Sequence, residues 1–198
     1  ICIDKLQWCK FASIAWNKDA TGFYYTRFPK PKHEGDDIRN HAIYYHSLGD
    51  SQDADVLVYE TLNEPDRLFE VRTTDDMEYL IITSSKGAAR ETQLHYKRLD
   101  NDRIHALFSR EEAQFVFINN SRSTFYICTD KDAPMRKIIA FESTTCEILD
   151  IVPERHDMLS CALFIRDRFI LAYLHDVSQA LEIVDAKGRK VQDIVIPF

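Results

Sequence analysis

A hairpin pattern that occurs four times along the chain constrains its fold more than any other feature. In each case a run with alternating apolar residues leads through a short polar turn into a second apolar run. The second runs begin near residues 23, 79, 124 and 169, so the steps between them are 56, 45 and 45 residues. The first hairpin is predicted from a strand at Phe11–Trp16, a turn at Asn17–Gly22 and a strand at Phe23–Phe28. We expect Gly22 to adopt a positive φ in this turn.

Each hairpin is followed by two further short apolar runs. The predicted third strands are Ile43–His46, Leu94–Lys97, Lys137–Ala140 and Ala180–Ile183, and the fourth strands are Val56–Tyr59, Ile104–Leu107, Glu147–Asp150 and Gln192–Val195. Four strands in each unit of roughly 40–50 residues are typical of a β-propeller blade. We therefore predict an all-β chain of four consecutive four-stranded blades, at about 10–62, 66–109, 113–153 and 157–198.

Composition excludes two classes of partner. The chain has 198 residues, with 25 Lys and Arg against 32 Asp and Glu, which gives a net charge of −7. Its basic clusters are too short to follow a phosphate backbone, so nucleic acid is not an expected partner. No apolar run reaches the roughly 18 residues of a membrane span, so no membrane partner is expected. The many aromatic residues are predicted to form blade cores, with Trp16, Phe69 and Phe115 among them.

Cysteine usage indicates a reducing compartment. The five cysteines are odd in number and form no Cys-x-x-Cys pair, which disfavours a disulfide framework or a zinc site. The chain begins at Ile1, with neither Met nor a signal peptide, and we expect it to be a piece of a longer protein. The predicted location is cytoplasmic. The cysteines are Cys2, Cys9, Cys128, Cys146 and Cys161.

The glycine positions exclude several kinds of active-site loop. Only five glycines occur, at 22, 35, 49, 87 and 188, and no two are four residues apart. A Gly-x-Ser-x-Gly nucleophile elbow therefore cannot be placed on the chain, and neither can a dinucleotide fingerprint or a P-loop. We predict no catalytic residue and no cofactor or metal site on this chain.

Histidines and paired acids are weaker candidates for chemistry. His41 and His46 straddle the start of a predicted strand, where alternation would point them to opposite faces and disfavour a shared metal. His175 and Asp176 have the residue types of a base and its orienting carboxylate, but adjacent residues seldom make that contact, so a turn is favoured. Three acidic pairs are predicted to lie in solvated turns or loops: Asp36–Asp37, Asp75–Asp76 and Glu111–Glu112.

The segment Pro29–Asn40 departs from the tight repeat. It is polar and holds two prolines, so we expect an extended and mobile loop. Two interpretations are open: the loop covers the mouth of the propeller funnel, or it has no role.

Five blocks of sequence carry a family resemblance. They are Lys10–Trp16 with Gly22–Tyr25, Asn40–Gly49, Asp53–Glu60 with Asn63–Pro65, Thr129–Pro134, and Tyr173–Val177. The Tyr-Tyr-His-x-Leu-Gly and Tyr-Leu-His-Asp-Val motifs within them are the most specific. In order and spacing, from about Lys10 to the C-terminus, these blocks resemble the prolyl oligopeptidase family of serine peptidases, which cleave short peptides after proline.

The resemblance implies a fold and a role. In that family a seven-bladed propeller is inserted in an α/β-hydrolase enzyme, and the Ser-Asp-His triad lies on the hydrolase domain, which is absent from this chain. The four blades would then be the middle of a non-catalytic cap that admits only short peptides. The implied partners are a short peptide substrate and the hydrolase domain of the same protein.

The resemblance also assigns one substrate-binding residue. Phe11 matches a family phenylalanine that reaches from the propeller to the substrate. An arginine and a cysteine that line the same cavity in the family correspond to Ser85 and Ala88, so this side of the substrate site differs. Without the resemblance, Phe11 is equally well explained as an aromatic residue of a blade core.

A second function remains open at this stage. A divergent paralogue without a hydrolase domain would have the same pattern and would act as a stand-alone propeller scaffold that binds proteins or peptides. The Gly-His and Trp-Asp signatures of common scaffold repeats are absent, which disfavours this alternative.

Overall fold

The computed structural model describes residues 4–31, 33, 38–176 and 178–195. In these residues the chain forms sixteen β-strands and one 3₁₀ turn at Gln52–Ala54, which confirms the all-β prediction. The strands form four antiparallel sheets of four strands each, connected in sequence order. The chain divides into two compact units, unit 1 at Ile1–Arg110 and unit 2 at Glu111–Phe198. No helix in the described ranges is long and apolar enough to cross a membrane.

Unit 1 contains two sheets. The first consists of β1 Ile14–Trp16, β2 Gly22–Arg27, β3 Ala42–Ser47 and β4 Val56–Tyr59. The second consists of β5 Arg67–Thr73, β6 Tyr79–Lys86, β7 Gln93–Arg98 and β8 Ile104–Phe108. Alternate residues of the two sheets meet in one apolar core, which includes Ala15, Tyr24, Ile43, Phe69, Leu80 and Ile82.

Unit 2 repeats this arrangement. Its first sheet consists of β9 Phe115–Ser121, β10 Thr124–Thr129, β11 Lys137–Glu142 and β12 Ile148–Val152. Its second sheet consists of β13 Met158–Ile165, β14 Arg168–His175, β15 Ser178–Asp185 and β16 Lys190–Ile194. The shared core includes Tyr126, Ile138, Leu159, Phe164, Phe169 and Leu171. The two-residue turn Arg166–Asp167 has positive φ at both positions, as the right-handed twist of a tight hairpin requires.

The predicted start of the first strand is wrong. Phe11 has φ 56°, and a left-handed residue cannot continue a pleated strand. At Ser13 the main-chain N–H donates to the Thr26 Oγ1, 3.0 Å away, instead of to a main-chain carbonyl. Regular pairing therefore begins at Ile14. Phe11 therefore lies before β1 and is not the first residue of that strand.

The expected role of Gly22 is also wrong. Gly22 lies in β2, and the left-handed residue of the turn is Ala20, with φ 55°. Glycine is needed because a Cβ at position 22 would lie 2.4 Å from the main-chain oxygen of His46. The neighbouring strand β3 approaches too closely for any side chain.

Two further differences concern burial and strand ends. Trp16 was expected in the core but is 46% exposed, because it shares the outer face of β1 with Ile14, while Ala15 points into the core. Phe69 and Phe115 are buried, as predicted. The last strands of the two sheets of unit 2 are Ile148–Val152 and Lys190–Ile194, offset by one or two residues from the predicted Glu147–Asp150 and Gln192–Val195.

Candidate functional site

The antiparallel order of the strands gives unit 1 two distinct ends. The loop end holds the residues before β1 and the β2–β3, β4–β5 and β6–β7 connections. Main-chain hydrogen bonds join these segments: Asn40 N donates to Pro65 O at 2.8 Å, and Gly87 N donates to Asp66 O at 3.1 Å. The turn end holds the β1–β2, β3–β4, β5–β6 and β7–β8 turns. The sequence-predicted site residue Phe11 lies at the loop end.

Phe11 presents its ring to solvent. The side chain is 65% exposed, and the Lys10 Nζ lies 5.2 Å from the ring centroid. Its positive φ places an aromatic residue in a conformation that few side chains adopt without an imposed reason. This exposure argues against the alternative of a blade-core aromatic. The ring is free to pack against a partner.

Ser85 and Ala88 lie at the same end of unit 1. Ser85 is near the end of β6, where its Oγ donates to the Gly87 carbonyl at 3.4 Å, and Ala88 is an exposed turn residue. Both side chains are small and uncharged. The β6–β7 connection therefore presents no guanidinium and no thiol at these two positions.

A buried ion pair supports the loop end. The Arg67 guanidinium has no exposed side-chain surface, and it donates to both carboxylate oxygens of Glu64 at 2.7 Å and to the Ser84 Oγ at 3.2 Å. Hydrogen bonds from Arg67 hold the pKa of Glu64 at about 2. The Lys86 Nζ adds a second cation at 3.3 Å. The sequence did not predict this ion pair. Its only signal is the charged residue Arg67 at the start of β5.

His41 links the two sheets of unit 1 in its neutral form. Its Nδ1 accepts a hydrogen bond from the Phe69 N–H at 2.9 Å, and its ring packs against Phe28 with centroids 4.5 Å apart. Burial lowers the pKa of His41 to about 4, so the ring carries no charge at neutral pH. The Nε2 atom has no hydrogen-bond partner among the described residues.

His46 belongs to a different buried network. Its Nδ1 lies 2.7 Å from the Asp55 Oδ1, and the Tyr25 hydroxyl donates to the other oxygen of Asp55 at 2.5 Å. The Gln52 Nε2 donates to the same hydroxyl at 3.0 Å. The network ties β2 and β3 to the 3₁₀ turn. The Tyr-Tyr-His motif of the sequence thus supplies a structural histidine, and His41 and His46 share no ligand.

The second histidine–aspartate candidate is rearranged in the structure. Asp176 is a turn residue with φ 50° whose carboxylate is 3.9 Å from the His175 Nε2, and His175 makes its closer contact with Asp157, with its Nδ1 3.0 Å from that carboxylate. Asp157 raises the pKa of His175 through this contact. The His156 Nδ1 lies 3.4 Å from the same carboxylate. All of these groups are at the surface, so the pair is screened by water.

The remaining candidates have local structural roles. Asp76 accepts hydrogen bonds from the Thr74 hydroxyl and the Glu78 N–H in its turn, and Glu112 pairs with Lys131. The described cysteines 9, 128, 146 and 161 are free thiols. Within the described ranges, no group of three or more His, Cys, Asp or Glu residues could hold a metal ion. Cys2 and residues 32 and 34–37 of the Pro29–Asn40 loop, which include Asp36–Asp37, lie outside the described residues.

Comparison with known proteins identifies the family. The family model described as "Prolyl oligopeptidase, N-terminal beta-propeller domain" matches residues 2–197. Prolyl endopeptidase of Dictyostelium discoideum is 27% identical over 98% of this chain and 30% of its own length. The dual function macrocyclase-peptidase POPB of Galerina marginata is 29% identical over 98% of this chain and 28% of its own length.

Solved structures agree with the curated relatives. Prolyl oligopeptidase B from Galerina marginata bound to a 25mer macrocyclization substrate matches with a TM-score of 0.89 and 29% identity, over 97% of this chain and 28% of that chain. Oligopeptidase B from Leishmania major shares the fold, with a TM-score of 0.70 and 16% identity. The chain spans about 30% of the length of the curated relatives it matches. It belongs to the prolyl oligopeptidase family and corresponds to that family's N-terminal β-propeller domain.

Proposed function

We propose that this chain is part of the propeller cap of a prolyl oligopeptidase-type serine peptidase, and that it covers an α/β-hydrolase domain of the same protein. The observation that carries the proposal is the family match over residues 2–197 by a chain that spans less than a third of its relatives. Those relatives are named as peptidases, and one solved relative is bound to a macrocyclization substrate. In this proposal the four sheets are blades at about 10–62, 66–109, 113–153 and 157–198 of a seven-bladed ring.

The cap would act by exclusion and not by chemistry. A nucleophile needs a base within hydrogen-bond reach, and Gly-x-Ser-x-Gly, the elbow that positions the serine in α/β-hydrolases, is absent from this sequence. The propeller would control which peptides reach the triad of the hydrolase domain. The loop end of unit 1 would face that domain, because it carries the exposed ring of Phe11.

Phe11 would pack against the bound peptide from the propeller side. An exposed aromatic ring buries a large apolar area when a partner covers it, which makes it a suitable anchor for a small substrate. Ser85 and Ala88 would contribute no charged donor, and the intervening Lys86 is paired with Glu64. We therefore expect this side of the site to bind peptide through apolar contact with Phe11 more than through charged hydrogen bonds.

Peptidase assays on two proteins test the proposal. The purified chain should match the buffer blank with benzyloxycarbonyl-Gly-Pro-p-nitroanilide, and the full-length protein should cleave this substrate and be inactivated by a serine-directed fluorophosphonate. Turnover by the chain alone that persists through repurification would refute the cap role.

The same pair of proteins tests the scaffold alternative. A full-length sequence with no hydrolase region, or a hydrolase region without its nucleophile, together with retained peptide binding, would replace the cap by a binding propeller. A Gly-x-Ser-x-Gly motif in an α/β pattern within the full-length sequence supports the cap.

A further inference from the structure

A cavity opens at the turn end of unit 1, at the opposite end of the strands from Phe11. Its volume is about 790 Å³, which lies in the range of small-molecule sites. The β1–β2, β5–β6 and β7–β8 turns surround it, together with the start of β4. One wall is apolar and consists of Val56, Leu57, Val58, Met77 and Leu99. The cavity is independent of the proposed peptidase role.

The rest of the lining is predominantly acidic. Four carboxylates, Asp19, Glu78, Asp100 and Asp102, face two ammonium groups, Lys18 and Lys97. Hydrogen bonds from Thr21 lower the pKa of Asp19, so this group is ionised at neutral pH. The lining side chains carry a net negative charge, which is reduced by the Arg98 guanidinium, 2.8 Å from Asp100 and 3.7 Å from Glu78.

Both lysines already have partners. The Lys18 Nζ lies 3.2 Å from Glu78, and the buried Lys97 Nζ lies 3.3 Å from Asp102 and also contacts the main-chain carbonyl of Asn101. A ligand anion would have to compete with these contacts. A ligand cation would meet the oxygens of Asp19 and would share the fully exposed Asp102 carboxylate with Lys97.

Tyr24 is a mostly buried residue of the cavity lining whose hydroxyl has no protein partner among the described residues. The residue is only 8% exposed, and its ring packs edge-on against Tyr45 with centroids 5.0 Å apart. The Tyr45 hydroxyl accepts a hydrogen bond from the Asn17 Nδ2 at 2.6 Å, but the Tyr24 hydroxyl bonds to no described residue. The hydroxyl oxygen itself is not among the buried polar atoms without a partner, so water in the cavity reaches it, and a ligand there would replace that water.

We propose that this cavity binds an organic cation that carries an apolar body, an alkylammonium or guanidinium joined to an aromatic or branched aliphatic group. The charged end lies between Asp19 and Asp102, and the body lies against the wall formed by Leu57 and its neighbours. The Tyr24 hydroxyl accepts a hydrogen bond from the ligand. Lys97, whose Nζ lies 5.9 Å from the Tyr24 ring centroid, already places one cation beside this aromatic face.

Two fluorescent probes of matched shape test the charge requirement. Dansylcadaverine carries a primary ammonium on a five-carbon chain, and dansyl-6-aminohexanoic acid carries a carboxylate on a similar chain. We expect the purified chain to bind the amine roughly tenfold or more tightly than the acid at low salt, because the lining attracts one charge and repels the other. Equal affinities, or no binding of either probe, would overturn the proposal.

Two pairs of variants locate the binding. Leu57→Lys adds a positive charge to the cavity wall, and we expect it to weaken amine binding roughly two- to fivefold. Leu62→Lys, at an 82% exposed position outside the cavity, is the control and leaves binding unchanged.

Tyr24→Phe removes only the hydroxyl and is expected to weaken binding roughly three- to tenfold. Tyr44→Phe, on the opposite face of the sheet, is its control. If both cavity variants bind the amine like the parent chain, the probe is bound elsewhere and the proposal is wrong.

A competition arm distinguishes the source of the cation. Displacement of dansylcadaverine by acetyl-Phe-Lys-Phe-amide identifies the side chain of a peptide as the ligand. Binding of the amine without displacement by this peptide identifies a free small amine.

Discussion

The two units join their sheets by different means, although each consists of two four-stranded sheets. In unit 1 the sheets are connected by directional bonds: Val71 N donates to the Ser13 Oγ at 2.8 Å, and Phe69 N donates to the His41 ring. In unit 2 the sheets are also hydrogen-bonded, from Leu159 N to Met135 O at 2.9 Å, but the core between them adds the ring cluster of Tyr126, Phe164 and Phe169, with centroids 4.4 to 5.0 Å apart. One contact of the first join depends on the protonation state of His41, whereas the ring cluster of the second depends on filled volume.

This difference separates stability from recognition in unit 1. The buried groups His41, Asp55 and Arg67 are all engaged in holding the sheets and loops. The ring that is free to meet a partner, Phe11, adds little to the core. Variants in the two units should therefore fail in different ways, and the following predictions are ordered from the largest expected effect to the smallest.

Removal of an aromatic ring from the join of unit 2 should have the largest effect. Phe169 is fully buried, so Phe169→Ala leaves a cavity and is expected to lower the free energy of unfolding of unit 2 by about 3–5 kcal/mol. Hydrogen exchange measured on peptides from β9–β16 should show the loss, while exchange in β1–β8 stays at the parent rate. An equal loss of protection in β1–β8 would contradict the prediction, because it would mean that the stabilities of the two units are coupled.

Lowering the pH should weaken unit 1 through His41. The folded pKa of His41 is about 4, below its usual 6.5, so the unfolded state binds more protons between these values. The resulting stability is complete above about pH 6.5 and is lost as the pH falls towards 4, by roughly 3 kcal/mol at most. Hydrogen exchange in β1–β8 at pH 7 and pH 4.5 measures it.

A non-titrating variant provides the control for this pH effect. His41→Asn keeps an acceptor for the Phe69 N–H and should reduce the pH dependence of unit 1, leaving the part that comes from His95, whose pKa burial also lowers. In unit 2 the shift has the opposite sign, because Asp157 raises the pKa of His175, and that contribution is present at low pH and is lost as the pH rises through the raised pKa. An unchanged pH slope in His41→Asn would remove His41 as the cause.

Breaking the Tyr25–Asp55 contact should have an intermediate effect. Tyr25→Phe removes the O–H group that donates to the Asp55 carboxylate, and we expect a loss of about 1.5–3 kcal/mol in the free energy of unfolding of unit 1. Tyr44→Phe is the control, because Tyr44 lies opposite Tyr25 in β3 and its hydroxyl has no carboxylate partner among the described residues. Equal losses in the two variants would contradict a specific role for the network.

Phe11→Ala should have the smallest effect on stability, below about 0.5 kcal/mol, because the ring is exposed. In the full-length enzyme the same change should raise KM roughly tenfold while kcat stays near the parent value, if the ring contacts bound peptide equally in ground and transition states. Steady-state kinetics and a denaturation curve on one variant measure both. A folded variant with unchanged kcat/KM would remove Phe11 from the substrate site.

The strands were predictable because their cause is local. Alternation of apolar and polar residues with a period of two specifies each strand and its buried face within a few residues, and short polar runs specify the turns. The aromatic core residues Phe69 and Phe115 followed from the same pattern. Family membership was also carried by continuous blocks of sequence, such as the one around His46.

The tertiary structure decided everything that depends on contacts between distant residues. The start of β1 depends on Ser13 and Thr26, and the need for glycine at position 22 arises from the approach of His46 across the sheet. The cavity at the turn end exists because turns more than fifty residues apart meet there. Sequence periodicity records which face of a strand is buried, but only the packing of sheets determines which side chains face one another and which, like Phe11, are left for a partner.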